Sequence, residues 1–252
     1  MTHDPADPRS GGIPGDGAPQ GRVPRDGHPV PAPQYGQYLP GHEGEGSHDA
    51  PAQPPRRPTV GPARRRTTMP VTWGIIALCV AVWGAQWVVA LLTPYSLATM
   101  FGYVPALTTS EPWRMLTSGF LHSMPSPLHL LLNMYTLYLF GRMLEPLLGT
   151  WRMLTLFVLS VLGGSVGVLL LGDPWVVVIG ASGGIFGLFG AMFVFMRHFR
   201  NDMTPIVVLI VINLVFGFVA GGVAWQAHVG GLVVGGLVAL AMLPGLGKRS
   251  LD

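Results

Sequence analysis

The 252-residue chain is poor in thiols, in charge and, over its first quarter, in large apolar side chains. Its single cysteine, Cys79, excludes an intramolecular disulfide and any cysteine-rich zinc site; lying inside an apolar run, it reads as a small packing residue. Asp, Glu, Lys and Arg supply only 11% of the chain against 49% hydrophobic residues, which sets it apart from ordinary soluble domains. Residues 1–68 hold mostly Pro, Gly, Asp, Arg and His and cannot bury enough surface to offset chain entropy, so they are predicted to form a disordered tail. The first apolar run starts at Val71 and is too long for a secretory signal peptide.

Beyond the tail the chain is almost entirely apolar. Six runs approach or exceed the roughly 20 residues that cross a bilayer core: Val71 to Leu92, Leu128 to Leu148, Trp151 to Leu171, Ser182 to Met196, Pro205 to Val219 and Trp225 to Leu243. The expectation is an all-α polytopic membrane protein: a tail over 1–68, a six-helix bundle over 69–246 and a short C-terminal tail over 247–252. The net charge of +3 is informative by position. Arg56, Arg57, Arg64, Arg65 and Arg66 precede the first run, and Arg142, Arg152, Arg197, Arg200, Lys248 and Arg249 fall on the same side of the bundle. The opposite loops carry mainly Glu111, Arg114 and Asp173. This is the positive-inside pattern rather than a nucleic-acid patch, and it predicts both termini in the cytoplasm, with helices two, four and six starting on the extracytoplasmic side. A multi-pass protein of the cell membrane is the expected localisation.

The fourth run is short. Ser182 to Met196 would make roughly 22 Å of helix against a core of roughly 30 Å. The preceding WVVVIGA, Trp175 to Ala181, is apolar enough to dip into the membrane in extended form wherever protein or water satisfies its backbone. Ser182 would then open a helix below the membrane surface.

Polar side chains at membrane depth are costly, so each needs a purpose. GASGG around Ser182 is ordinary helix-packing composition, yet it also matches the G-x-S-x-G nucleophile elbow. The soluble-hydrolase reading of that motif fails, because the only later acids are Asp202 and Asp252 and no α/β context surrounds it. His228 lies just above a GxxxG formed by Gly231 and Gly235, and GASGGIFG offers Gly183, Gly184 and Gly187 as the opposing surface. Close approach there would bring Ser182 Oγ within reach of His228 as a general base, a Ser-His dyad with no carboxylate to orient the imidazole. His129 and Asn133, four apart on one helix face, either bond between helices or donate to an oxyanion beside Ser182, together with the unpaired Ser182 backbone N–H.

EPWRMLTSGFLH, HLLLNMYTLYLFGRMLEPLLG, GASGGIFGLFGA and AHVGGLVVGG, in that order on the expected helices, resemble the rhomboid intramembrane serine proteases over roughly Val71 to Leu243. The resemblance implies Ser182 as nucleophile, His228 as base, and His129 and Asn133 in the oxyanion hole, with Gly180, Gly183, Gly231 and Gly235 in support. It implies a mainly structural role for the Trp113-Arg114 pair, which unaided would read as an interfacial Trp beside an exposed Arg. Glu145 resembles a structural glutamate, although an Arg142–Glu145 pair at i,i+3 would also account for it. Phe186 stands where well-studied relatives carry a tyrosine stacked on the histidine, and stacking should survive without the hydroxyl. Substrates would be transmembrane proteins entering from the lipid bilayer past the fifth helix, whose loop acts as a lid, with no cofactor, metal or nucleic acid involved. The alternatives are a catalytically inactive rhomboid-like protein that binds membrane clients, which should lack Ser or His, and a small transporter, which should show repeats or charged residues along a path.

Overall fold

The computed structural model describes residues 68–219 and 223–246. The expected N-terminal tail up to residue 67 with its arginine cluster, residues 220–222 of the expected lid loop, and the C-terminal segment with Lys248 and Arg249 lie outside the described residues.

The described part is all-helical, with eight α-helices and three short 3-10 turns. Six helices are long: α1 (Pro70–Leu92), α4 (Leu128–Leu148), α5 (Thr150–Leu171), α6 (Ser182–His198), α7 (Thr204–Val219) and α8 (Trp225–Met242). Two short ones, α2 (Leu97–Phe101) and α3 (Arg114–Thr117), belong to the connection between α1 and α4. By length and composition α1, α5 and Trp225–Gly245 suffice to cross a membrane. The 21-residue α4 is interrupted by His129, Asn133, Arg142 and Glu145, while α6 and α7, at 17 and 16 residues, fall below a full span. Flanked by the apolar surfaces of their neighbours, these six helices make an integral multi-pass membrane protein.

Local chemistry sets the helix ends. Pro70 occupies the first turn of α1, where its missing N–H costs nothing. The backbone N–H groups of Val71 and Thr72, orphaned at that terminus, donate to the Glu145 carboxylate of α4 at 2.8 and 2.9 Å, and Thr72 Oγ1 donates to it at 2.6 Å. Glu145 therefore caps a neighbouring helix and does not pair with Arg142, whose guanidinium lies over the Tyr138 ring instead. A carboxylate beside positive helix-end N–H groups gains both hydrogen bonds and the favourable end of the helix dipole. Gly149, at φ 80°, takes a backbone conformation that side chains disfavour and turns α4 directly into α5.

Helices α5, α6 and α8 form the tightest packing. Side chains would keep their backbones apart, and glycine removes that obstacle: a Cβ on Gly231 would strike the Gly183 carbonyl, and one on Gly235 the Gly187 backbone. Gly184, expected on this same face, turns toward Phe157 of α5, whose ring would lie 2.6 Å from its Cβ. Helix α5 adds its own small residues, Gly163, Gly164 and Gly167, against the α8 backbone at Gln226, Ala227 and Gly230. By contrast α7 buries only Ile206 and Gly217.

The long connection is fastened by Arg114. Rather than standing exposed, Arg114 is buried; its Nε donates to the Glu111 carboxylate and its Nη1 to the carbonyls of Thr99 at 2.7 Å and Gly102 at 3.1 Å. One guanidinium thus satisfies carbonyls at the end of α2, which an apolar residue could not do. Trp113 is the partner that faces outward.

Candidate active site

Ser182 reaches its position through the extended segment that precedes α6. Tyr103 and Val178 exchange both backbone hydrogen bonds at 2.9 Å, Ala106 N–H donates to the Pro174 carbonyl at 2.8 Å, and Gly180 N–H donates to the Ser118 carbonyl at 2.9 Å. Protein groups thus supply the backbone partners that an extended segment needs wherever water is excluded. Gly180 has φ +123°, and a Cβ there would meet the His129 ring at 2.9 to 3.0 Å, so only glycine fits under that imidazole. Ser182 follows as the first residue of α6, where its backbone N–H has no partner within the helix.

His129 Nδ1 accepts from Ser123 N–H at 3.3 Å and pairs with Ser123 Oγ at 2.9 Å. A backbone N–H can only donate, so Nδ1 carries the lone pair and Nε2 carries the proton of the neutral ring. The Cε1–Nε2 edge of that ring lies over Gly180, and a Cβ there would also come within 3.8 Å of Ser182 Oγ. Behind it the His122 ring packs on the His129 ring with centroids 5.2 Å apart. The backbone of His122 is clamped to α1 by Gln86, whose Nε2 donates to the His122 carbonyl at 2.9 Å while its Oε1 accepts from His122 N–H at 3.0 Å. Burial pushes the His122 imidazole down to about 4, the neighbouring His129 adds to the shift, and the Phe120 carbonyl opposes it.

His228 is buried in the first turns of α8, its ring stacked on Phe186 with centroids 4.0 Å apart and planes 9° from parallel. Its Nδ1 has no hydrogen-bond partner among the described residues and faces Gly217 of α7, where a Cβ would lie 3.2 Å away. Packing between Phe186 and Gly217 is what orients this imidazole. Among the described residues no hydrogen bond joins His228 to Ser182 Oγ; the catalytic contacts of ligand-free enzymes are often long and tighten only when substrate binds. The Asn133 side-chain amide donates back to the His129 carbonyl at 2.8 Å, which leaves its second N–H uncommitted among these contacts.

A cavity of about 700 Å³ gathers these elements, lined among others by Ser118, Ser123, His129, Gly180, Ser182 and Ala227. His228, which follows the lining Ala227 in the chain, and Asn133, bonded to the carbonyl of the lining His129, are themselves buried. Ser123 and Gln86 were not legible as contributors from the chain alone. Gln86 did carry a signal, a polar amide in the middle of an apolar run, which at that depth calls for a partner.

The fold defines an all-helical multi-pass membrane protein, and its cavity is lined by a serine at a helix start and a half-buried histidine of another helix, with a second, buried histidine following the lining Ala227 in α8. A family model described as the Rhomboid domain matches residues 109–245. The chain is 30% identical over 175 residues to YdcA of Bacillus subtilis, covering 66% of this chain and 86% of that one. It is 34% identical over 155 residues to the rhomboid protease GluP of Bacillus subtilis, covering 58% of this chain and 30% of GluP. To the rhomboid protease GlpG of Klebsiella pneumoniae it is 29% identical over 195 residues, covering 73% of this chain and 67% of GlpG. The chain belongs to the rhomboid family, a family of intramembrane proteases.

Proposed function

We propose that this protein is an active intramembrane serine endopeptidase, its protease domain spanning 69–246, that cleaves peptide bonds in or beside transmembrane helices. The observation that supports the reading is one cavity lined by Ser182 at a helix start and by His129, with His228, next in the chain to the lining Ala227, stacked on Phe186 of the serine's own helix. Ser182 Oγ attacks the scissile carbonyl and His228 takes its proton; the C–O bond forms as the carbonyl π electrons move onto oxygen. The resulting oxyanion accepts hydrogen bonds from Ser182 N–H, His129 Nε2–H and the Asn133 amide. Collapse expels the amine with the proton from His228, and water then hydrolyses the acyl-enzyme with His228 again as base.

The substrates are transmembrane proteins that enter from the bilayer past α7. Both termini lie in the cytoplasm, in the cell membrane, and the cavity opens to the extracytoplasmic side. A test reconstitutes the purified protein with a single-span substrate and compares Ser182→Ala and His228→Ala with wild type. Each variant should lose cleavage by at least about a thousandfold. Undiminished cleavage in both would sink the assignment, and a wild type that binds the substrate without cutting it would support the inactive client-binding reading.

A further inference from the structure

A second concavity opens at the other end of α6, between α6, α7 and α8. Gly190 and Val194 of α6, Ile210 and Val211 of α7, and Leu232 and Gly236 of α8 bound about 420 Å³ of it, with apolar side chains and glycine only. Water needs two or more polar partners to reside in such a space, and this wall offers no polar side chain, so in a bilayer hydrocarbon is its natural occupant. An adjoining cavity of about 480 Å³ shares Phe193, Val194 and Leu240 with the apolar slot, and its remaining wall carries Arg197, His198 and Arg200. An apolar slot thus opens onto a cationic mouth.

The cations of that mouth are not consumed elsewhere. Among the described residues the ion pair is Arg114 with Glu111, which leaves Arg197 and Arg200 without one. The nearest acid in the loop, Asp202, accepts from Thr204 N–H at 2.9 Å at the start of α7 and does not line the mouth. Arg197 and His198 sit in the last turn of α6, where positive charge also suits the helix end. Arg200 lies beyond that turn at φ 57°, and the Asn201 N–H closes back on the Met196 carbonyl at 2.9 Å. That is the helix-ending position where glycine is strongly favoured, because a left-handed backbone is costly for a residue with a Cβ. An arginine held there against local preference places a second guanidinium beside the groove.

We propose that this groove is a binding site for one anionic phospholipid, with an acyl chain in the slot between α6, α7 and α8 and the phosphate against Arg197 and Arg200. Basic pockets between membrane helices recognise lipid headgroups in this way. The site is separate from the cavity at Ser182 and does not depend on proteolysis.

Native mass spectrometry of the full chain released from detergent, after incubation with dioleoylphosphatidylglycerol or dioleoylphosphatidylcholine, tests it directly. Wild type should retain one phosphatidylglycerol in preference to phosphatidylcholine. Arg197→Gln with Arg200→Gln should weaken that retention by roughly ten- to thirtyfold. Gly236→Leu should block the slot, since a Cβ there meets nothing nearer than 3.8 Å and has room to grow into it. Arg200→Gly is the folding control: it relieves the left-handed strain, so reduced lipid retention in a protein of equal or higher melting temperature would come from the lost charge. Equal retention of the two lipids, undiminished phosphatidylglycerol binding in the double Arg variant and in Gly236→Leu, or competition by inorganic phosphate alone would overturn the proposal.

Discussion

At the scale of single residues, the site depends on protons held in particular places. Ser123 decides which nitrogen of His129 carries hydrogen, because its backbone N–H can only donate to Nδ1. Ser123→Ala removes the hydroxyl contact but keeps the backbone one, so kcat should fall by up to about tenfold, the worth of one hydrogen bond, with KM little changed. Steady-state kinetics on a transmembrane substrate would show it, and an equal fall in substrate affinity would contradict it. His122 makes a different prediction. Its folded-state pKa of about 4 lies below the ordinary histidine value of 6.5, so the unfolded chain binds the proton more tightly. The stability contributed by the neutral buried ring is complete above pH 6.5 and drains away as pH falls toward 4, on the order of 2 to 3 kcal/mol. The melting temperature in detergent should drop over that window in wild type and drop less in His122→Gln.

At the scale of elements, glycine placement controls how α6 meets α8. A Cβ on Gly235 would run into the Gly187 backbone, whereas one on Gly236 would find only ordinary contacts at 3.8 to 4.0 Å. Gly235→Ala should therefore cost about 1 to 3 kcal/mol by overpacking and lower activity, since Ser182 rides on the helix that must move. Gly236→Ala should leave the thermal midpoint where it is. Thermal unfolding of this neighbouring pair is a sharp check, because both changes add one methyl to the same helix. The Glu145 cap on α1 and the Arg114 fastening of the α1–α4 connection belong to this scale too. Each uses one charged side chain to satisfy backbone groups that lipid cannot.

At the scale of the whole molecule, the tight trio α5, α6 and α8 carries the serine and one histidine, while α4 brings the other histidine and α7 leans on the trio with little buried surface. The distribution of arginine, including Arg142, Arg152, Arg197 and Arg200 at one end, predicts the orientation in the membrane. A reporter fused to the C-terminus should score as cytoplasmic; an external score would turn the cavity to the wrong side.

Much of the bundle was legible in the chain. Apolar runs bounded by Pro70, Gly149 and the 172–181 segment mark helices within one or two residues of those observed, because a bilayer-length apolar segment has few alternatives to helix. Four short motifs were enough to point to the family. What the chain could not express was direction: whether Arg114 points in or out, whether Glu145 reaches its near neighbour Arg142 or the start of a distant helix, which neighbour Gly184 touches. Those are settled by backbone polar groups that become available only when helices assemble, and by the close approach that glycine permits without saying toward whom. The stacking of Phe186 on His228 was legible from the motifs, whereas the proton on His129 Nε2 and the unbonded Nδ1 of His228 are products of tertiary packing, since each depends on a partner from another part of the fold.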